Sequence, residues 1–203
     1  MLTDHDTPPG PSPQELLTAY AYGAFPMDAP EHADEPVPFY ESDPRAVIPI
    51  DRFRIPRSVG RGLDRVNFTI RIDTAFAEVC ARCAVRPDGT WLSPRLISSY
   101  CQLHELGYAH SVEAWDGPAL VGGLFGIALG GLFTSESMFR TASDAGNAVI
   151  VATGQQLARC EFVVWDIQTA TDHTLRFGTE LISRDEYRTR LRSALRLTRS
   201  FVA

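Results

Sequence analysis

Three polar residues follow apolar stretches in positions where they could do chemistry. In "VVWDIQ", Asp166 and Gln168 come directly after apolar residues typical of a buried strand. Residues two apart on a strand face the same side, so this carboxylate and this amide are predicted to lie side by side. Glu136 has a similar setting in "LFTSESMF". A solvated strand end explains each residue singly, but burying three such groups unpaired is costly, and their recurrence favours a site.

The first third of the chain predicts a small irregular unit. Residues 1–13 hold four prolines and few apolar side chains, and we expect them to be flexible. "SPQELLTAYAYGAF" predicts a short helix in which Ser12 and Glu15 form a capping box and a glycine ends the helix. Prolines are frequent from Pro26 to Pro56, which indicates irregular structure with one or two short strands. Residues 14–62 are predicted to form an N-terminal subdomain.

Beyond residue 62 the pattern becomes regular. A strand in "VNFTIRID" precedes two helices, the second capped by Ser93, and three antiparallel strands follow, joined by turns at residues 116–117 and 130–131. A helix from about Ser143 to Ala158, the strand with Asp166, a short helix near residues 172–177 and an amphipathic helix in "SRDEYRTRLRSAL" complete the chain. This element order is that of the N-acetyltransferase-like (GNAT) fold.

The predicted fold is therefore α+β (mixed α/β), with a GNAT-like domain over residues 63–203 after the N-terminal subdomain. In that fold the fourth and fifth strands separate, and the gap between them holds the acyl donor. Glu136, Asp166 and Gln168 are predicted to converge at this gap.

The region between the fourth strand and its helix disfavours acetyl-coenzyme A as the donor. Coenzyme A enzymes of this fold have an Arg/Gln-x-x-Gly-x-Gly/Ala loop there, whose backbone N–H groups hold pyrophosphate. This chain has "MFRTASDAGNAV", with Gly146 inside the predicted helix. The glycines of "GGLFGIALGG" fall within strands, where they indicate bulges or close backbone approach.

Composition and charge exclude several classes of protein. The chain has 203 residues, 44% of them hydrophobic, and a formal net charge of −6, which argues against a protein that coats DNA nonspecifically. The N-terminus has no apolar segment typical of a secretory signal. The longest apolar run, residues 119–133, contains five glycines and is too short for a membrane span. We expect a soluble, cytoplasmic protein.

Four residues have spacings that could be interpreted as a zinc site: Cys80 with Cys83, and Cys101 with His104. However, both pairs fall in stretches with helical periodicity, and no Gly or Pro forms a metal-binding knuckle. Buried helix cysteines are the favoured interpretation, and no metal is expected.

Arginines are concentrated in one segment. Arg52, Arg54, Arg57, Arg61 and Arg65 fall within fourteen positions. They are either a solvated segment with ordinary ion pairs or a patch that binds nucleic-acid phosphates. Two aromatic residues outside this segment could stack on a nucleobase, although each is also typical of a core: Trp91 and Tyr100.

Several motifs occur in an order that resembles the leucyl/phenylalanyl-tRNA–protein transferase family. They are "LLTAYAYGAFPM", "DPRAVIP", the block from "GTWLSPRL" to "TSESMF", and "WDIQTATDHTLRFGTELISRDEYRTRL". The resemblance covers residues 15 to about 190. It implies transfer of leucine or phenylalanine from aminoacyl-tRNA to the N-terminal Arg or Lys of a protein, which marks that protein for N-end-rule degradation. It also implies a GNAT-like C-terminal domain and no cofactor.

The resemblance implies roles for individual residues. Asp166 and Gln168 would be the catalytic pair, and Arg54, Arg57 and Arg61 would contact the tRNA acceptor arm. Glu136 would help bind the donor aminoacyl group or the acceptor. The other implied residues would bind substrate, around the terminal adenosine or the donor side chain: Trp91, Tyr100, Leu124, Phe133, Ser135, Met138, Thr153 and Leu157.

The implied reaction is aminolysis of an activated ester. An α-amine has a pKa of about 8, so a useful neutral fraction exists near pH 7. Our hypothesis is that Asp166 orients this amine and draws its proton, directly or through Gln168. In a rival hypothesis the ribose hydroxyl of the terminal nucleotide shuttles the proton and Asp166 is an electrostatic anchor.

Departures from the family pattern leave alternatives open. Met27 stands at a usual tryptophan, Asn147 replaces a usual lysine, and Thr153 and Leu157 stand where the family has aromatic residues. Two alternatives are therefore retained. One is a related aminoacyl-tRNA-dependent transferase with a changed donor or amine acceptor, and the other is a noncatalytic tRNA-binding relative.

Overall fold

The computed structural model describes residues 8–28 and 34–202. Residues 1–7, most of the segment predicted to be flexible, lie outside these ranges. The elements, in chain order, are α1 (Pro13–Tyr22), β1 (Phe25–Pro26), β2 (Phe39–Tyr40), β3 (Arg45–Ile48), α2 (Arg57–Leu63), β4 (Thr69–Ile72), α3 (Phe76–Cys83), α4 (Pro94–Glu105), β5 (Ala109–Asp116), β6 (Ala119–Leu129), β7 (Leu132–Arg140), α5 (Ala145–Arg159), β8 (Val164–Gln168), α6 (Asp172–Leu175), β9 (Glu180–Ile182) and α7 (Arg184–Ala194).

Seven strands form one sheet in the order β4-β5-β6-β7-β8-β3-β9. β7 and β8 are parallel, and the other neighbouring pairs are antiparallel. This mixed α+β architecture confirms the predicted fold class. β3 agrees with the one or two short strands expected between Pro26 and Pro56, although its position was not predicted, and β9, which has three residues, was not predicted. Such short strands leave too little periodicity to be recognised.

The helix boundaries follow the local signals. The capping box of Ser12 and Glu15 starts α1, and Gly23 ends it in the left-handed conformation with φ 88°. Ser93 caps α4 as predicted. By contrast, α2 was not predicted, because its sequence "RSVGRGL" contains two glycines, which lower helix propensity. Buried Val59 holds α2 against the core that includes α5.

The sheet lies between two layers of helices. On β6, a side chain at Gly122 would meet Ala145 of α5, and one at Gly123 would meet Val79 of α3. Successive strand residues face opposite sides, so α5 and α3 cover opposite faces. The predicted close backbone approach at these glycines is thereby confirmed. One core forms beneath α5 and α2 and a second beneath α1, α3 and α4.

The N-terminal residues share this framework with the rest of the chain. β3 lies between β8 and β9 in the main sheet. Leu16 and Tyr20 of α1 are buried in the core that contains α3 and α4. Strand β3 and helix α1 thus belong to the same sheet and core as the rest of the chain. The separate subdomain predicted for residues 14–62 stays a prediction. Over residues 8–28 and 34–202, no helix is both long and apolar enough to cross a membrane.

Candidate active site

A cavity lies where β7 and β8 separate. The two strands pair in parallel at Leu132–Thr134 and Val164–Asp166, and both then continue without pairing to each other. A cavity of about 350 Å³ occupies this gap, lined mainly by residues 135–138 of β7 and by Trp165, Ile167 and Gln168 of β8. We call it the transfer cavity. Its position between the fourth and fifth strands of residues 63–203 is the one predicted.

A β-bulge aims Glu136 into this region. Gly126 of β6 pairs with Ser135, whereas Phe125 pairs with Ser137, so Glu136 is the extra residue. Gly126 has no room for a side chain, because a Cβ there would collide with the carbonyl oxygen of Thr134 and the ring of Phe133. A second register shift, between β3 and β8, makes Ile167 an extra residue. Bulges change the direction of a strand and of its side chains, and both extra residues line the transfer cavity.

Asp166 is fully buried and belongs to an ion pair. Its Oδ1 accepts hydrogen bonds from Arg45 Nε at 2.8 Å and from the Gln168 backbone N–H at 3.0 Å. Its Oδ2 accepts from Arg45 Nη2 at 2.6 Å and from the Tyr187 hydroxyl at 2.8 Å. These four donors occupy the carboxylate, and Asp166 does not line the transfer cavity. Asp166 is therefore enclosed within the protein, whereas Gln168 lines the transfer cavity.

Arg45 is a residue of this site that the sequence analysis missed. It is 1% exposed, donates to the carbonyl oxygen of Gly23 at 2.9 Å, and its guanidinium lies over the rings of Phe25 and Tyr187. Burial lowers the pKa of Arg45, but the charge and hydrogen bonds of Asp166, together with the nearby Tyr187 and Glu136, outweigh burial and hold this pKa above its usual range. An arginine at the start of the apolar stretch "RAVI" was a signal, because buried arginines require a partner.

Gln168 joins the buried ion pair to the cavity. Its backbone has φ 55°, and its Nε2 donates to Thr134 Oγ1 at 2.7 Å and to Glu136 Oε1 at 3.2 Å. Both amide N–H groups are thus used within the protein. The amide oxygen is the atom of Gln168 left to accept a hydrogen bond from a ligand in the cavity.

Glu136 is held by hydroxyl groups at the cavity wall. Tyr100 donates to Glu136 Oε2 at 3.1 Å, Thr134 Oγ1 lies 3.2 Å from Oε1, and the Tyr20 hydroxyl lies 2.9 Å from that of Tyr100. Burial raises the pKa of Glu136 to about 7, the hydrogen bonds from these hydroxyls oppose this shift, and the Asp166 charge adds to it. Both protonation states of Glu136 are therefore accessible near neutral pH.

The residues implied by the family resemblance fall into two groups. Six of them line the transfer cavity: Trp91, Leu124, Ser135, Glu136, Met138 and Gln168. Five are buried and do not line it: Tyr100, Phe133, Thr153, Leu157 and Asp166.

Tyr100 and Phe133 illustrate the second group. Tyr100 is fully buried, so no ring face is free to stack on a nucleobase, and its hydroxyl donates to Glu136 instead. Phe133 stacks on Phe201 with centroids 4.8 Å apart. Trp165 has both a packing role and a place at the cavity, since it packs against Phe53 and donates to Ser135 Oγ at 2.9 Å.

The predicted tRNA-binding arginines are exposed. Arg57 and Arg61 belong to α2, and Arg54 precedes it. Across the part of the chain that the structure describes, Arg52 is in ion pairs with Asp51 and Glu180, whereas Arg54, Arg57 and Arg61 are in none. Their charges are thus available to a polyanion.

The cysteines occupy the positions expected of core residues. Cys80 and Cys83 are buried in α3, and burial raises the pKa of the Cys83 thiol to about 12. His104 directs its Nδ1 at the carbonyl oxygen of Ala109, at 2.8 Å. Residues 8–28 and 34–202 contain no group of three or more His, Cys, Asp or Glu side chains placed to hold a metal ion.

Comparison with known proteins gives consistent matches. Residues 47–192 match the family model described as leucyl/phenylalanyl-tRNA protein transferase. A protein of that name from Akkermansia muciniphila is 45% identical over 187 residues, covering 91% of this chain and 96% of the relative. One from Herpetosiphon aurantiacus is 44% identical, covering 94% and 97%. Among solved structures, a conserved protein of unknown function from Staphylococcus epidermidis aligns over 68% of this chain and 56% of its own, with 13% identity and a TM-score of 0.46.

Proposed function

The chain belongs to the leucyl/phenylalanyl-tRNA protein transferase family, and on that premise we propose that it moves leucine or phenylalanine from aminoacyl-tRNA to the N-terminal Arg or Lys of an acceptor protein. The observation that carries this proposal is the transfer cavity, where Gln168 and Glu136 meet between separated strands. Apolar side chains from Leu124, Met138 and Trp165 line the same cavity and suit an apolar aminoacyl group.

The reaction needs one bond formed, one broken and one proton moved. The acceptor's neutral α-amine attacks the ester carbonyl carbon, a C–N bond forms, and the C–O bond to the ribose of the terminal nucleotide breaks. The amine loses a proton and the ribose oxygen gains one. The ester is already activated by its attachment to tRNA, so orientation and proton transfer are the tasks left to the protein.

Gln168 is suited to orient the amine. Its N–H groups are held by Thr134 and Glu136, so its amide oxygen is fixed in direction and accepts a hydrogen bond from the incoming amine. Asp166 acts through Gln168 and does not contact the substrate, because it accepts from the backbone N–H of Gln168 and is enclosed by Arg45 and Tyr187. These contacts support the anchor role of Asp166 over the role of proton acceptor.

Glu136 is suited to take the proton. It lines the cavity, and its pKa of about 7 lies close to that of an α-amine. A base is most effective when its pKa is near the working pH. The carboxylate also suits an acceptor whose N-terminal residue is cationic, so Glu136 contributes to binding as well as to proton transfer.

The proposal also covers the fold, the contacts with tRNA and the role of the protein in the cell. The separation of β7 and β8 around the cavity supports a GNAT-like arrangement of residues 63–203. Exposed Arg54, Arg57 and Arg61 would contact the acceptor arm of the tRNA. A cytoplasmic location and a role in N-end-rule degradation follow from use of charged tRNA as donor and protein N-termini as acceptors.

A transfer assay with mixed substrates tests the function. The purified chain is incubated with tRNAs charged with different amino acids and with peptides that differ in their N-terminal residue, and products are identified by mass. We expect leucyl and phenylalanyl products on peptides that begin with Arg or Lys, and none on the same peptides after N-acetylation. Transfer of another amino acid would indicate a changed donor pocket. No product with any pair would favour the noncatalytic tRNA-binding alternative.

A further inference from the structure

Three cavities adjoin one another through shared residues. The transfer cavity includes His173 in its lining, and His173 also lines a second cavity of about 360 Å³ with Arg140, Asn147 and Arg176. Arg176 in turn lines a third cavity of about 290 Å³, together with Arg52 and Arg54. The shared residues therefore place the three cavities next to one another, between the arginine segment and the transfer cavity.

The second cavity is positively charged. Arg140 and Arg176 are exposed, and neither is in an ion pair within residues 8–28 and 34–202. Asp172 also lines the cavity and offsets one of the two guanidinium charges. His173 lies between these guanidinium groups, and its pKa is lowered by burial and then by the charges of Arg176 and Arg140.

Hydrogen bonds hold two of the lining groups in place. Asn147 donates through Nδ2 to Asp144 Oδ1 at 2.7 Å, which leaves its Oδ1 to accept from His173 Nε2 at 2.8 Å. Arg176 donates to Ser58 Oγ at 3.2 Å, which ties it to α2. Because the His173 Nε2–H is used on Asn147, the guanidinium groups of Arg140 and Arg176 are the charged donors that the cavity offers to phosphate oxygens.

We propose that Arg140 and Arg176 form a phosphodiester subsite for the 3′ end of the donor RNA, with His173 between this subsite and the transfer cavity. This inference rests on the proposed function. In an aminoacylated nucleotide, one ribose separates the acylated oxygen from the nearest 5′ phosphate, so an anion site must adjoin the cavity that holds the acyl group. The second cavity meets this requirement because it shares His173 with the transfer cavity.

The subsite also gives the RNA backbone a direction. Preceding phosphates continue past Arg176 into the third cavity, where Arg54 remains after Arg52 pairs with Glu180 at 2.7 Å. From there the strand reaches the exposed arginines of α2. Arg176 is therefore the residue that links the arginine segment to the site of chemistry.

Two small donors isolate the effect of a single phosphate. The first is 3′-O-phenylalanyl adenosine, which has no 5′ phosphate, and the second is the phenylalanylated dinucleotide CpA, which has one. For the double variant Arg140→Gln/Arg176→Gln, we expect the ratio of kcat/KM for the dinucleotide to kcat/KM for the nucleoside to fall about tenfold from the wild-type ratio, the loss expected for charge-assisted hydrogen bonds. With full aminoacyl-tRNA, the slope of log KM against log salt should decrease by about 0.7 per lost contact.

A charge-matched control uses arginines that do not line these cavities. Arg192 and Arg196 lie in and just after α7 and are exposed, and Arg192→Gln/Arg196→Gln should leave the substrate ratio at the wild-type value. Thermal denaturation confirms that both double variants are folded. An unchanged ratio in Arg140→Gln/Arg176→Gln, or an equal fall in the control, would overturn the subsite. Failure of the wild-type chain to use aminoacyl-tRNA at all would instead overturn the proposed function.

Discussion

Asp166 carries its charge inside the protein because four hydrogen-bond donors surround it. Arg45 supplies two of these donors, and Tyr187 and the backbone of Gln168 supply the others. A buried ion pair adds little net stability compared with apolar residues, but removing one partner leaves the other charge buried and unpaired. At the scale of single residues, the site is therefore sensitive to changes that do not touch the substrate.

The substitution Asp166→Asn tests this burial. It leaves Arg45 without a counter-charge, so we expect the free energy of unfolding to fall by about 3–5 kcal/mol, as for other broken buried pairs. Urea denaturation followed by circular dichroism measures the change. Asp88→Asn, in an exposed loop, is the control and should shift stability by less than about 0.5 kcal/mol. Equal denaturation midpoints for the two variants would contradict the buried ion pair.

Glu136 should shape the pH dependence of transfer. The carboxylate form increases as pH rises through about 7, and the neutral acceptor amine increases as pH rises through about 8. We expect kcat/KM of the wild-type protein to rise with pH through both values. In Glu136→Gln the step near 7 should disappear, the step near 8 should remain, and the plateau should be about 100-fold lower, the usual effect of losing a general base.

The stability of the same variant gives an independent check. The pKa of Glu136 is higher in the folded state than its value of 4.5 when unperturbed, so the folded protein binds more protons between these values. Folded wild-type protein thus loses stability as pH rises from about 4.5 to about 7. Glu136→Gln should remove this loss and gain about 1–2 kcal/mol at pH 8, after allowance for the solvent screening of a partly exposed group. A wild-type stability that does not change across this window would argue against the raised pKa.

At the scale of elements, the bulge in β7 decides where Glu136 points. It requires a close approach of β6 to β7 that only glycine permits at Gly126. The separation of β7 from β8 then leaves the cavity. Two extra residues, Glu136 and Ile167, thus convert a regular sheet into one with a substrate-sized gap.

The substitution Gly126→Ala tests the bulge. Its Cβ would collide with the backbone carbonyl of Thr134, which cannot move as a side chain can, so we expect a loss of about 1–3 kcal/mol from overpacking. Transfer activity should fall further than stability explains, because Glu136 moves with the strand. The matched control is Gly60→Ala in α2, where a Cβ meets nothing within 4 Å. It should be stabilising by about 0.5–1 kcal/mol. Thermal denaturation compares the two, and a tolerated Gly126→Ala would show that the strands adjust.

At the scale of the whole molecule, the N-terminal residues complete the site. β3 lies between β8 and β9 and brings Arg45 to Asp166. Tyr20 of α1 reaches Tyr100, which donates to Glu136. The hydrogen bonds around Asp166 and those around Glu136 therefore both depend on residues that precede residue 63 in the sequence.

Deletion of residues 1–62 tests this dependence. A chain of residues 63–203 loses β3, which separates β8 from β9, and leaves the Asp166 carboxylate without its guanidinium. We expect it to lack the dispersed amide NMR spectrum and the cooperative thermal transition of the full chain. A dispersed spectrum from residues 63–203 alone would show instead that the predicted division near residue 62 is a true domain boundary.

The sequence was sufficient for local features and for selecting residues that the structure places at or beside the transfer cavity. Capping residues and turn glycines set the boundaries of α1 and α4, and the strand period predicted the central meander. The motif "WDIQ" pointed to Asp166 and Gln168, and "SESMF" pointed to Glu136. These features depend on interactions between residues close in the chain, which a pattern records directly.

The tertiary structure alone decided how these residues divide their tasks. Asp166 and Gln168 are two positions apart, yet Asp166 is enclosed by Arg45, 121 residues away, while Gln168 faces the cavity. The burial of Tyr100, the bulge at Glu136 and the neighbouring cavities lined by Arg176 also depend on contacts between distant elements. The strand period predicts which side of the sheet a residue faces. Which side chains it contacts on that side depends on how distant parts of the chain pack together.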